Sequence, residues 1–370
     1  MSISTLYLSS FRNHKNKEFD FCKGVTVFWG DNGSGKTSVL EAIHTLSIGK
    51  SFRTHRQKTL IRSGDKRFVL KGTFSSGGRS DTVAAQYDLV SGQKIKLNGK
   101  PISNRKELIG KNSVVVLSPE EQNITKGGPE NRRQFFDKVF CVTDAAYLDT
   151  LQKYGRVIKQ RNVTIQGINE GKTNLREIES WNEQLSQVGA LLWKKRAEFM
   201  RNFNSSLHWL LKKNKEPLEI DVLYTEKKLD PGGYNQELKK TQEKDIRFGR
   251  TTFGPHRDDM GIHWQGKNLR NHGSQGEHKL CLVFLKLAEA VYIKEKTGSR
   301  PILLLDDLFA KLDLERNRGL VTLFHTMDRE WEDTTQTIIT TTDMVDLENS
   351  GMLLGHKEVK THHLERKCST

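Results

Sequence analysis

The sequence predicts an α/β fold built on a phosphate-binding loop, assembled from both ends of the chain, with a mainly helical lobe inserted between. Three observations carry this. The string Gly30–Thr37 follows a strand-like run and opens a helical one. The run Ile302–Leu305, near the other end, is wholly apolar, as a strand buried on both faces would be. From about residue 130 to 215 the apolar residues recur at helical spacing. The expected segments are 1–130 and 251–370 for the α/β part and 131–250 for the lobe. With 370 residues the chain is long enough to bury a core without disulfides or metal.

Taken in order, the candidate strands of the first part are Ile3–Leu8, Glu18–Phe21, Val25–Trp29, Phe68–Phe74, Thr82–Leu89, Ile95–Asn98 and Ser113–Leu117. Asn98-Gly99 is a strong hairpin turn between Ile95–Leu97 and Pro101-Ile102. In the lobe, Ile178, Trp181, Leu185, Val188 and Leu192 mark one face of a helix. Asp230-Pro231-Gly232-Gly233 breaks the pattern. The chain then gives a helix Glu277–Lys294, the strand Ile302–Leu305, a helix Leu314–Thr326 and a strand Thr337–Thr340.

Composition narrows the partners. Sixty Lys and Arg against 45 Asp and Glu leave a formal net charge of +15, which suits a polyanion, nucleic acid ahead of an anionic membrane. The excess is uneven. Residues 50–71 carry eight basic side chains and one acid, and residues 94–111 carry six and one. Residues 300–335 reverse the balance, with eight acids against five bases. Apolar runs such as Val114–Leu117, four residues long, fall far short of the ~20 that a membrane helix needs. The four cysteines show no zinc-like spacing and fit a reducing, cytoplasmic setting.

Gly30-Asp31-Asn32-Gly33-Ser34-Gly35-Lys36-Thr37 matches G-x-x-x-x-G-K-[ST] in full, between strand and helix. The glycines let backbone N–H groups wrap a phosphate chain, Lys36 would reach the β- and γ-phosphates, and the Thr37 hydroxyl would hold Mg²⁺. Ile302–Leu305 ends in Asp306-Asp307, at the strand end where α/β sheets bind ligands. Asp306 is the expected Mg²⁺ partner, and Asp307 is placed to orient or deprotonate an attacking water. Gly273-Ser274-Gln275-Gly276-Glu277 opens a helix. Ser274 there is either a plain N-cap or part of a second anion site, useful mainly for a nucleotide held by another copy.

The order Gly30–Thr37, Gly273–Glu277, Leu303–Asp307 and Leu312-Asp313 resembles an ABC-type ATPase head of chromosome-maintenance and repair proteins. Four further stretches resemble the bacterial RecF family: Leu8–His14, Leu117–Glu120, Lys126–Phe135 and Phe253–Asp259, the last containing Gly254-Pro255-His256-Arg257-Asp258-Asp259. The resemblance implies an ATP-dependent protein of recombinational repair that binds single- and double-stranded DNA near gaps. It further implies an ATP-induced homodimer, with Ser274 and Gly276 contacting the γ-phosphate across it and Arg12 and Asn13 close to the nucleotide. RecO and RecR would be partners in placing RecA, with the SOS response downstream. The alternatives are another head ATPase acting on DNA and a P-loop small-molecule kinase, which would have no use for Gly273–Glu277.

The sequence also departs from the family pattern. Glu277-His278-Lys279 stands where Gln-Gln-Arg is usual, and a carboxylate near a γ-phosphate would repel it unless it points away. Ala310-Lys311-Leu312-Asp313 replaces Ser-Glu-Leu-Asp. Asp307 is one methylene shorter than the Glu of ABC transporters, which suits a weak ATPase used as a switch. Thr341-Thr342-Asp343 occupies the place where many ABC heads carry a histidine.

Overall fold

A computed structural model describes residues 1–214, 217–308, 314–331, 334–354, 356 and 358–366. The Ala310–Asp313 loop therefore lies outside the described residues. The chain divides into two compact units, one made of 1–122, 207–218 and 282–370, the other of 123–206 and 219–281. Residues 251–281, grouped above with the C-terminal part, pack in the second unit, whereas 207–218 pack in the first.

The first unit holds two sheets. One is parallel throughout, in the order Val359–His363, Val25–Trp29, Thr337–Thr341, Ile302–Asp306 and Val114–Leu117. Its three central strands are almost wholly buried, which explains their apolar runs. The other is antiparallel, in the order His14–Asp20, Ser2–Phe11, Arg67–Ser76, Arg79–Asp88, Gly92–Leu97 and Lys100–Pro101. Asn98 and Gly99 both take positive φ, 52° and 79°, and form the turn that their sequence predicts. A shared core joins the sheets to the Lys36–Ile48 helix through Leu6, Leu8, Phe28, Leu40, Ile43, Leu70, Leu304 and Ile338. The helices Leu314–Glu330 and Met344–Ser350 also belong to this unit.

The second unit contains the helices Pro129–Thr143 and Ala145–Asn169, most of Leu175–Lys213, and a small antiparallel sheet of Lys267–Asn268, Met260–Trp264 and Ile220–Tyr224. The predicted face of the long helix is its core face: Ile178, Leu185 and Leu192 are fully buried. Phe136 packs edge-on against Phe203 at 5.1 Å, and Trp193 lies tilted against Tyr234 at 4.8 Å.

The strings 126–135 and 253–259 are brought together inside this unit. Arg132 forms a bidentate pair with Asp259 at 2.8 and 2.9 Å. The buried Asp258 carboxylate accepts from Trp193, Arg196 and Tyr224. His256 sits between the Tyr154 hydroxyl and the Thr251 carbonyl. Burial, more than any neighbour, pushes the His256 imidazole down to about 4, so it is neutral at physiological pH. It accepts from Tyr154 at Nδ1 and donates to Thr251 at Nε2. This string forms an internal polar frame.

Candidate functional site: a phosphate loop closed by two carboxylates

The parallel sheet positions the site. Val25–Trp29 ends at Gly30, the loop follows, and the Lys36–Ile48 helix starts within it. Gly30 has φ 136°, and an added Cβ there would stand 2.3 Å from the Leu364 carbonyl oxygen. The neighbouring strand Val359–His363, absent from the sequence expectation, thus leaves no room for any other residue. Gly35 has φ 103° and faces the His14 and Asn13 side chains, 2.5 and 2.6 Å from where a Cβ would be. Lys36 is 7% exposed; its ammonium donates to the Gly30 and Asp31 carbonyls at 2.6 and 2.9 Å. Burial lowers its pKa, against the pull of Asp307, Asp306 and Asp31. The Ser34 hydroxyl is buried with no hydrogen-bond partner among the described residues. A buried orphan hydroxyl, a lysine folded over the loop and glycines that admit no Cβ make a cradle fitted to a phosphate chain.

Asp306 closes the site from the far end of the chain. Its Oδ1 accepts from the Thr37 hydroxyl at 2.7 Å and the Thr340 hydroxyl at 2.8 Å, and its Oδ2 from Ser118 at 3.2 Å. A carboxylate and a threonine hydroxyl so joined are the hard oxygen pair that Mg²⁺ takes from a protein, the rest of its shell being phosphate and water. Asp307 follows in a left-handed conformation, φ 51°, with its N–H on the Thr340 carbonyl at 3.1 Å.

Arg12 and Asn13 form the tip of the hairpin joining Ser2–Phe11 to His14–Asp20, with Arg12 at φ 55°. Asn13 donates to the Gly33 carbonyl at 3.2 Å, so it does meet the loop. Arg12 instead makes a bidentate pair with the fully buried Glu41, 2.7 Å on each arm, one turn beyond Thr37. Ser51 also donates to Glu41, and Arg53 bridges toward Glu120 at 2.9 Å. Lys286, fully buried, pairs with Glu289 at 2.6 Å and Glu121 at 3.3 Å. Burial alone would lower its pKa; the two carboxylates outweigh that and hold it above the ordinary value.

Sequence reading missed three residues here. His14 donates through Nε2 to the Gly35 carbonyl at 3.1 Å, since a carbonyl only accepts, and burial lowers its pKa. Thr340 completes the Asp306 cluster. Arg366, carried past the edge strand, brings its Nε to 4.0 Å from where a Gly33 Cβ would lie. Only the hairpin string around His14 carried a signal; the other two depend on which strands become neighbours.

In the second unit, Ser274 and Glu277 form a reciprocal capping box on the Gln275–Thr297 helix. The Glu277 carboxylate accepts from the Ser274 N–H at 2.7 Å, and the Ser274 hydroxyl accepts from the Glu277 N–H at 3.3 Å. Those bonds hold the Glu277 carboxyl below its usual range. Asp343 is likewise used as a helix cap, bonding the Val345 N–H at 2.9 Å.

Comparison with known proteins agrees with this geometry. The RecF/RecN/SMC N terminal domain model matches residues 2–365. The DNA replication and repair protein RecF of Thermoanaerobacter sp. (strain X514) is 32% identical over 346 residues, covering 89% of this chain and 95% of its own. That of Clostridium novyi (strain NT) is 33% identical over 353 residues, 94% of either chain. A solved structure of the recombination mediator protein RecF with ATP, in the RecFOR pathway, superposes with a TM-score of 0.85 at 28% identity. The match covers 97% of this chain and 95% of that one. An Smc head bound to the C-winged helix domain of ScpA shares the fold, with a TM-score of 0.52 at 18% identity. By sequence, by fold and by a phosphate loop closed on paired carboxylates, the chain belongs to the RecF family of DNA replication and repair proteins.

Proposed function

We propose that this protein is an ATP-dependent DNA-binding switch of recombinational repair. Gly30–Thr37 holds the ATP phosphates and Lys36 neutralises their charge, with Asn13 and His14 keeping the loop in shape. Thr37 and Asp306 hold Mg²⁺, which when bound offsets phosphate charge. Asp307 orients or deprotonates the attacking water. The carboxylate of Asp307 reaches less far than glutamate would, so hydrolysis is slow and ATP acts chiefly to set a state. Two copies close on two ATP molecules, with Ser274 and Gly276 contacting the γ-phosphate of the opposite copy. The cap explains how Glu277 is tolerated, since its carboxylate is turned back onto Ser274. The closed dimer binds single- and double-stranded DNA at gaps and, with RecO and RecR, places RecA there, which leads to the SOS response. The setting is the cytoplasm.

The observation that supports this reading is the 2.7 Å bond between Thr37 and Asp306, which joins two motifs 269 residues apart in the sequence. Light scattering with and without ATP, run beside DNA binding under both conditions, tests it. The wild-type protein should dimerise with ATP and bind DNA more tightly. Lys36→Ala should lose ATP affinity and dimerisation together. A Lys36→Ala protein that still dimerises with ATP would refute the two-copy site.

A further inference from the structure

The two basic stretches converge on the antiparallel sheet. Along Arg67–Ser76 the burial alternates, with Phe68, Leu70 and Phe74 turned to the core, so Arg67, Val69, Lys71 and Thr73 face the other way. Val83 and Ala85 of the next strand and Ile95 of the one after also face the core. Register does the rest. Lys71 lies opposite Ala84, and Ala84 opposite Lys96, so both lysines stand in one cross-strand row on the outer face. Their backbones are two strands, about 10 Å, apart, and Lys94 is about 7 Å along the strand from Lys96. Between them the face carries hydroxyls and an amide, from Thr73, Thr82 and Gln86. Lys71, Lys94 and Lys96 are exposed, and none has an ion-pair partner within 4.0 Å among the described residues.

Lys50 and Arg105, one member of each stretch, meet at the sheet edge. Gln93 bonds the Gly49 carbonyl at 3.1 Å, and the Arg105 side chain lies 2.7 Å from where a Gly49 Cβ would be. Burial lowers the Lys50 pKa, and Arg105 is close enough to lower it further by repulsion. The acids on the outer face are Asp88, beside Arg67 and Lys94, and Glu18 and Asp20 on the far-edge strand.

We infer that the outer face of strands Arg67–Ser76, Arg79–Asp88 and Gly92–Leu97 is a docking surface for the phosphate backbone of DNA, with Lys71, Lys94 and Lys96 as its centre. This deepens the DNA-binding reading above and rests on it. Exposed lysines spread over a largely polar sheet face suit a repeating row of phosphates. The intervening hydroxyls add donors to phosphate oxygen. Contacts of these lysines to phosphates carry no base information, so binding through them is insensitive to sequence.

The test is fluorescence anisotropy with a labelled DNA duplex, in the presence of ATP, from about 50 to 200 mM salt. The triple variant Lys71→Gln/Lys94→Gln/Lys96→Gln should bind more weakly. The slope of log K against log salt should become shallower by about 2.7, at ~0.9 for each phosphate no longer neutralised. Its circular dichroism and ATP affinity should match wild type, because all three side chains are exposed and none belongs to the phosphate loop. A control triple in the other unit, Lys194→Gln/Lys239→Gln/Lys244→Gln, should keep the wild-type slope. A wild-type protein with salt-dependent binding and a triple variant of unchanged affinity and slope would overturn the surface while leaving the DNA reading intact. No salt-dependent binding by wild type would overturn the DNA reading itself. Loss of ATP affinity in the triple variant would overturn the separation of this face from the nucleotide site.

Discussion

Gly30→Ala should be among the most damaging single-methyl additions in this protein, and its cost separates into two parts. The first is backbone strain: with φ at 136°, a residue bearing a Cβ costs roughly 1–3 kcal/mol. The second is collision. The new carbon would lie 2.3 Å from the Leu364 carbonyl oxygen, more than about 1 Å inside ordinary contact. That oxygen is backbone and has no rotamer to escape into. Relief requires the edge strand Val359–His363 to move off Val25–Trp29, and the Leu364 N–H bond to Trp29, 2.8 Å, goes first. Losing two such bonds adds about 2 kcal/mol at ~1 kcal/mol each. The total is about 3–5 kcal/mol. Gly64→Ala is the internal control, since Gly64 also has positive φ, 85°, but nothing within 4 Å of the added carbon. It should cost roughly 1–2 kcal/mol. Urea unfolding of both variants, followed by circular dichroism, measures the difference. Equal midpoints would mean that the C-terminal strand does not close over the phosphate loop as described. Gly30→Ala should also weaken ATP binding, because the Gly30 carbonyl is one of the two that hold Lys36.

The other predictions concern the carboxylates, the cap and pH. Asp306→Asn should abolish Mg²⁺-dependent nucleotide affinity, because the Thr37, Thr340 and Ser118 hydroxyls all converge on that carboxylate. Asp307→Asn should keep nucleotide binding while hydrolysis falls by about 10²–10⁴, the usual range for a lost general base; equal effects of the two changes in both assays would refute the division of roles. Ser274→Ala should cost about 1 kcal/mol of stability, whereas Glu277→Gln, which preserves the capping box, should cost almost nothing and leave ATP-induced dimerisation intact. His256 has its pKa pushed from near 6.5 down to about 4 by burial. Below pH 6.5 the unfolded chain takes up a proton that the folded one refuses. The neutral ring's contribution is therefore complete above pH 6.5 and is lost toward pH 4, at ~1.4 kcal/mol per unit and about 3 kcal/mol in all. Urea midpoints across that range should fall more steeply for wild type than for His256→Asn, and parallel profiles would exclude His256 as the cause.

Local chemistry was legible because it is written in neighbouring residues. The loop glycines, Lys36 and Thr37 are contiguous, and Ile302–Asp306 declares a buried strand by itself. Convergence was not legible. That Thr340 and Ser118 share Asp306 with Thr37 depends on the strand order of the parallel sheet, which no local pattern encodes. Arg12 shows the same limit. Its place in a hairpin tip brings it near the loop, yet its guanidinium is committed to Glu41, a residue whose complete burial the sequence does not reveal. Glu277 looked like an obstacle as a charge, and became intelligible as a cap once its hydrogen bonds were known.

The sequence alone determined the α/β class, the phosphate loop, the paired carboxylates and the excess of positive charge, since each follows from composition or from short-range spacing. Tertiary structure alone decided that two strings of the second unit form a buried polar frame. It also decided that the C-terminal strand makes Gly30 irreplaceable, and that lysines 25 residues apart share one row of a sheet. The physical reason is common to these cases. Burial, register and steric exclusion are properties of pairs of segments, and they come into being only when distant parts of the chain are packed against one another.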